Sequence, residues 1–507
     1  MAVTASQGAG TTSDYLKILS GTSQNVAGIA VAALANIVVQ VVFSRTLGPA
    51  GFGVVTLLTQ AAFVASFATR SGMDMAVLRD VAVEVGQGRF SRIRSPVARA
   101  VGIAAAVSVV AAVAVSALSE PIRSLLSIDP QLGHWVVPAA AIGLPFLALA
   151  NVWLSATRGL KIMRYTLYVF WAGQPIVWIL VTLGGWAFST TPWMAVLGYS
   201  LSWGWAAAMA AYFWRKESRG WAISATEPQW LSRLVRYAGP RAPAALFSQL
   251  LFWADLFVLT RYASDTEVGV YSAALRAGQV VVLFLTSVNL MFSPYVADLY
   301  NRGEIDRLDH LFKTLTRWTI IATLPLFLVI AVTPDGVLHL FGEEFGSGQV
   351  ALAVLLAGQF VNVATGSAGF ILIMIGRTGW DLLVYAGSFA LDLALAFWLA
   401  PRYGMTGAAA ANAVTFTVSN LARLWLVRKA LGAQPYDRDY LRIIGPAGLT
   451  AAAMWLVHTR LFGEWLIDLV AVATVGALVY VASFLAIGLN RAERRGVRAL
   501  VARIRDR

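Results

Sequence analysis

Apolar runs of about twenty residues, separated by short polar loops, fill almost the whole chain, and a helix needs about that length to cross a bilayer. The runs fall at 24–43, 51–68, 97–118, 134–155, 166–188, 194–214, 238–259, 268–293, 315–333, 348–375, 380–400, 405–427, 442–459 and 465–488, which predicts fourteen transmembrane helices. Loops 69–96, 156–165, 215–237, 294–314 and 428–441 are rich in Arg and Lys, for example Arg89, Arg92 and Arg94. The alternate loops hold at most one basic residue each: Arg45, Arg123, Arg261, Arg402 or Arg460. Only the very short loop 376–379, with Arg377 alone, is silent. Basic loops mark the cytoplasmic side. An even number of spans then places both termini in the cytoplasm.

Composition agrees with this pattern. The chain is 58% hydrophobic and 13% charged with a mean hydropathy of +0.69, whereas soluble domains average about 45–50% apolar and about 25% charged. The expected fold class is therefore an all-α polytopic membrane protein. The absence of cysteine excludes disulfides, thiolate catalysis and cysteine metal sites. Met1–Asp14 is polar and lacks the pattern of a cleaved signal peptide, so the first span is expected to serve as the targeting element. The net charge of +13 follows membrane topology and gives no reason to expect a nucleic-acid partner. Arg491–Arg507 interleaves seven arginines with Val497, Leu500, Val501 and Ile504, an amphipathic basic tail suited to anionic headgroups.

An internal repeat organises the spans. Phe43-Ser44-Arg45, then seven residues, precedes Gly53-Val54; Leu259-Thr260-Arg261, then seven residues, precedes Gly269-Val270. A weaker echo is Pro401-Arg402-Tyr403-Gly404, leading to Gly407. An offset of six helices keeps both copies in the same orientation, which predicts a parallel repeat about an axis along the membrane normal. The expected domains are an amino-terminal lobe (1–214, helices 1–6), a cytoplasmic linker (215–237) and a carboxy-terminal lobe (238–427, helices 7–12). Helices 13–14 (428–490) and the basic tail (491–507) follow.

The chemistry sits in the polar residues inside these runs. A charge such as Arg276 in a spanning helix costs about 2.5–3.5 kcal/mol unless it faces a bundle interior or a watery cavity. Ser272, Arg276, Gln279, Thr286 and Ser293 share one helical face, opposite Val270, Val281, Phe284 and Val288. That stripe points to a passage for something anionic. Asp255, on the preceding helix, is a candidate charge partner of Arg276 or a ligand for a coupling cation. Asp392 shares a face with Asp381, Tyr385 and Ser388, either a polar seam between helices or a coupling-ion site. Gln359 and Asn362 are neutral groups suited to sugar hydroxyls. On the cytoplasmic side Arg70 and Asp74, spaced to pair, head an amphipathic segment with Arg79, Asp80 and Glu84, expected to be an interfacial helix or a gate. The Gly48-Pro49-Ala50-Gly51 turn is expected to be tight.

The run Arg45-Thr-Leu-Gly-Pro-Ala-Gly-Phe-Gly-Val resembles the first loop of bacterial polysaccharide transporters, the flippases for lipid-linked oligosaccharides. Trp253-Ala-Asp-Leu-Phe-Val-Leu-Thr-Arg-Tyr is similar to their seventh helix, and Val268-Gly-Val-Tyr-Ser-Ala-Ala-Leu-Arg276 to their eighth. Leu340-Phe-Gly-Glu-Glu-Phe and Pro401-Arg-Tyr-Gly-Met-Thr-Gly-Ala-Ala-Ala extend the likeness, which spans Leu19 to Ala430. The resemblance implies the multidrug/oligosaccharidyl-lipid/polysaccharide exporter superfamily, with two six-helix lobes in a V, a central cationic cavity and two extra helices forming a groove for the lipid tail. It also implies that Arg276, and after it Arg45, contacts the head group. Asn36, Gln40, Thr56 and Gln60 stand where peptidoglycan-precursor flippases carry arginines, which argues for another glycolipid.

The implied partners are a lipid-linked oligosaccharide, membrane lipids and other polysaccharide-assembly proteins, in a bacterial or archaeal cell membrane and with no cofactor. A cation-coupled drug exporter of the same superfamily is the alternative, disfavoured by the extra helix pair and by Arg276. A glycosyltransferase or polymerase is disfavoured by short outer loops and only four histidines. No Walker motif is present, which leaves membrane potential, proton, sodium or counter-transport as the energy source.

Overall fold

The computed structural model describes residues 2–132, 135–222, 230–460 and 463–489, with side chains from residue 35 onward except those of 230, 231, 233–242, 244, 290, 291, 293 and 294. Among the described residues there are only helices, turns and bends. In chain order the helices are α1 (Ala2–Thr69), α2 (Met73–Gly86), α3 (Arg94–Ala117), α4 (Ser119–Leu125), α5 (Val136–Gly159), α6 (Arg164–Thr166), α7 (Gln174–Trp186), α8 (Pro192–Glu217) and α9 (Trp230–Leu259). They continue with α10 (Asp265–Gln279), α11 (Leu283–Asn301), α12 (Ile305–Val332), α13 (Pro334–His339), α14 (Gln349–Ala364), α15 (Ala368–Met374), α16 (Thr378–Leu431), α17 (Leu441–Arg460) and α18 (Trp465–Ser483). The basic tail, part of the interlobe linker and the side chain of Ser293 lie outside the described residues.

Among the described residues ten helices are long and apolar enough to cross a membrane, against the fourteen spans expected. Two of them, in α1 and α16, each cover two expected spans joined through a glycine. Gly48 takes φ 68° before Pro49, and Gly404 takes φ 55° three residues after Pro401. Positive φ is open to glycine at little cost, and the turn breaks the helix axis where proline also removes a backbone donor. The expected spans 194–214 and 238–259 are helical within α8 and α9, but neither helix is among those ten.

The chain packs as two compact units, Gln24–Ala273 with Arg377–Thr415, and Met1–Ser23 with Ala274–Gly376 and Phe416–Arg507. In the first unit α5 is the central helix, buried on nearly every side between α3 and α8. Its small residues Ala139, Ala140, Gly143 and Ala148 allow close backbone approach, the usual basis of helix association in lipid. A Cβ on Gly143 would come 2.7 Å from Ser200 Oγ, and that hydroxyl donates to Ala139 O at 2.6 Å. Gln174 donates to Ser202 Oγ (3.0 Å) and Trp178 Nε1 to Ala195 O (2.8 Å), tying α7 to α8. A π-helical stretch at Leu167–Gly173 precedes α7, and Trp205 fills the space against Gly173.

In the second unit α12 packs against α14, α17 and α18. Tyr480 donates to Ile321 O at 2.8 Å, and buried Arg317 donates to Gly488 O at 2.9 Å, at the end of the last helical segment. A cation there meets carbonyls that the helix leaves without intrahelical partners. Arg317→Met should therefore lower stability by about 1.5–3 kcal/mol, the worth of a charged hydrogen bond. Thermal unfolding in detergent checks this; an unchanged midpoint would show that Arg317 does not hold α12 to the segment that follows α18. Across both units leucines, valines and tryptophans such as Leu180, Leu383, Trp425 and Leu478 point outward, as expected of faces turned to lipid.

Candidate functional site

Arg276 lies in the last turn of α10, where carbonyl ends favour a cation. The helix stops at Gln279, and a 3-10 turn (Val280–Val282) separates it from α11. The sequence predicted an unbroken helix through 268–293. The structure keeps this stretch within one spanning segment, Asp265–Asn289, and places a 3-10 turn directly after Gln279. The 3-10 turn packs on α14, and Gly278 faces Leu352 and Leu355 of that helix. α14 carries Gln359, buried, and Asn362, which donates to Gln359 Oε1 at 3.3 Å. Arg276, Gln279, Gln359 and Asn362 therefore belong to one unit, on two helices that approach each other at Gly278. Thr286 is half-buried in α11, where its hydroxyl donates to Val282 O.

Two buried arginines of this unit were not recognised in the sequence. Arg317 and Arg423 lie near the basic-loop ends of their spans and read there as topology signals; burial distinguishes them. Arg423 runs its stem past Gly369, where a Cβ would approach to 3.1 Å, and Asn420, one turn back, donates to Phe416 O.

The other unit holds the acidic residues. Asp255 in α9 and Asp392 in α16 are both fully buried. Asp255 accepts a hydrogen bond from Tyr271 of α10, so its carboxyl is held by a phenol of its own unit. Asp392 is close enough to Asp255 for the two carboxyls to repel, and Asn412 and Thr415, beyond the α16 kink, stand beside Asp255 and Asp392 respectively. Tyr271 and Asn412 were not anticipated as partners; Tyr271 was visible only as part of a motif. Asp381 and Ser388 are buried on the same helix as Asp392, with Tyr385 half-buried between them. Among the described residues no three His, Cys, Asp or Glu side chains gather as a metal site.

The remaining predicted residues lie in the same unit. Gln40 is buried and donates to exposed Asn36 (3.3 Å); Gln60 is half-buried, Thr56 buried and Arg45 exposed. Arg70 and Asp74 form the i,i+4 pair at 3.0 Å, almost wholly buried. Arg70 also donates to Ser66 O and Ser66 Oγ and lies over the Phe67 ring. Arg158, missed in the sequence, feels the fields of both Arg70 and Asp74 and donates to Ser155 Oγ. Glu84 pairs with Arg89 at 2.8 Å. Arg70→Met should cost about 3–5 kcal/mol by taking from buried Asp74 its hydrogen-bonded guanidinium, and adding Asp74→Leu should recover most of it. Urea or thermal unfolding of the single and double variants checks this; equal losses in both would show that packing, not charge, is at stake.

Comparison with known proteins places this arrangement in a family. Residues 18–299 match the family of polysaccharide biosynthesis proteins, and residues 240–398 match the MatE family. The first match covers more than half of the chain, and the chain belongs to the polysaccharide biosynthesis protein family. The putative O-antigen transporter of Shigella flexneri is 21% identical over 428 residues, covering 81% of this chain and 98% of that protein. The probable low-salt glycan biosynthesis flippase Agl15 of Haloferax volcanii is 22% identical over 37% of this chain, and the chain spans 40% of its length. Among solved structures the lipid II flippase MurJ in an inward closed conformation superposes with a TM-score of 0.72 at 13% identity, over 90% of this chain and 97% of that one. This likeness establishes the fold, a multi-pass bundle of membrane-spanning helices.

Proposed function

We propose that this chain moves a polyprenyl-diphosphate-linked oligosaccharide across the cell membrane by alternating access, for the assembly of a surface polysaccharide. The observation that carries the reading is Arg276 in the last turn of α10, where neighbouring Gly278 lies against the helix that bears Gln359 and Asn362. A guanidinium keeps its charge and donates in a planar fork, which suits a diphosphate. The amides, with Asn36, Gln40 and Gln60, offer neutral hydrogen bonds to sugars. Family membership and the flippase and O-antigen transporter relatives support the same substrate class. In this reading the two lobes of the repeat enclose the head group, the tail stays in lipid, and both termini face the cytoplasm. Arg70 and Asp74 close the cytoplasmic side, and Arg45 guides the phosphates at the outer side. The basic tail rests on anionic headgroups, and contacts with other polysaccharide-assembly proteins complete the partners.

Asp255 and Asp392 supply the coupling site in this account. Two carboxyls buried together in a membrane protein need neutralising, by a proton or a small cation. That acidic pair is also the one observation favouring the second reading, a cation exporter, in which it would bind the cargo. Binding to the purified protein separates the two readings. A short-chain polyprenyl diphosphate at about 100 times its Kd should stabilise the protein by about 2.7 kcal/mol, while a cationic dye should not. Stabilisation by the dye alone would favour the exporter.

A further inference from the structure

The two glycines that mark the repeat lie against each other. A Cβ on Gly53 would fall 2.8 Å from Gly269 N and 2.9 Å from Asp265 O. A Cβ on Gly269 would fall 1.8 Å from Pro49 O. Here the start of the second expected span and the first turns of α10 meet backbone to backbone, closer than any side chain allows. Both segments belong to the same compact unit. Other loops converge on the same turns of α10. Asp129 N donates to Asp265 Oδ2 at 3.2 Å, and Gly404, at the α16 kink, lies near Glu267. Phe52, Val268 and Val270 around the contact are buried. All four loops are those the charge pattern assigns to the outer side.

We infer that the Gly53–Gly269 contact is the closed outer gate of the passage, and that the glycines are there because closure requires backbones to touch. This rests on the alternating-access reading above and deepens it. The repeat supplies one glycine from each half, so the halves close on a self-matching patch. Closing and opening then exchange a dry backbone contact for solvated loops, with no side chain to reorient. A methyl on either glycine would hold the patch apart and shift the protein towards its outward-open form.

The natural absence of cysteine makes the test direct. Ser272→Cys, buried one turn inside Gly269 on α10, serves as a reporter for a membrane-impermeant maleimide added from outside. Adding Gly269→Ala or Gly53→Ala should speed labelling by about tenfold or more, the shift expected from a steric overlap of this kind. Gly184→Ala, where a Cβ meets nothing within 4 Å, should leave labelling unchanged. Equal labelling in all four proteins would overturn the gate.

A second measurement leaves both glycines in place. Ala50→Cys with Val268→Cys, flanking the contact, should be joined by a short bis-thiosulfonate, and the link should stop transport until it is reduced. No link, or a link without effect on transport, would also overturn the gate. Labelling and linking need no substrate, so a gate that behaves as expected in a protein that moves no glycolipid would count against the substrate reading alone.

Discussion

Arg276→Ala is expected to lower flipping of a polyprenyl-diphosphate oligosaccharide by about 30-fold or more, the effect of removing about 2–5 kcal/mol of charged hydrogen bonding. The variant should still insert and fold, because the position lies in the last turn of α10 and alanine is a strong helix former. Arg276→Lys should recover only part of the rate, since an ammonium keeps the charge but loses the planar fork. Proteoliposome flipping assays at matched protein levels measure this. Full activity in Arg276→Ala would remove the head-group role from this residue.

The second large effect concerns coupling. Asp255→Asn and Asp392→Asn each preserve shape and remove one buried carboxyl charge. Each should abolish the response of transport to an imposed ion gradient, a loss of about 5- to 150-fold in coupling, while leaving exchange at equilibrium measurable. Tyr271→Phe tests the support of this pair: it takes the donor from Asp255 and should cost about 1–3 kcal/mol of stability, the penalty for a buried polar atom left without its partner. Retention of the gradient response in both asparagine variants would make the pair a structural seam.

Much of this architecture was legible because a bilayer imposes length and polarity on every crossing segment. The ten apolar spanning helices, the glycine turn at Gly48 and the pairing of Arg70 with Asp74 all follow from local spacing. The two glycines of the expected repeat, Gly53 and Gly269, are spatial neighbours, which a pattern of spacing alone does not state. What escaped was set by tertiary packing. The 3-10 turn after Gln279 carries no proline or glycine in Val280–Val282 to announce it. Arg317 and Arg423 were hidden by lying near the basic loops, where an arginine has an ordinary topological reason to exist. Tyr271 became the partner of Asp255 through the α9–α10 turn, a relation between helices and not along one.

The most direct measurement is translocation of a fluorescent polyprenyl-diphosphate oligosaccharide in proteoliposomes, read by quenching from outside, for the native chain beside Arg276→Ala. Rapid loss of protected label is expected with the native chain, and little above protein-free vesicles with the variant. No translocation by the native chain, with a cationic dye moved instead, would contradict this expectation.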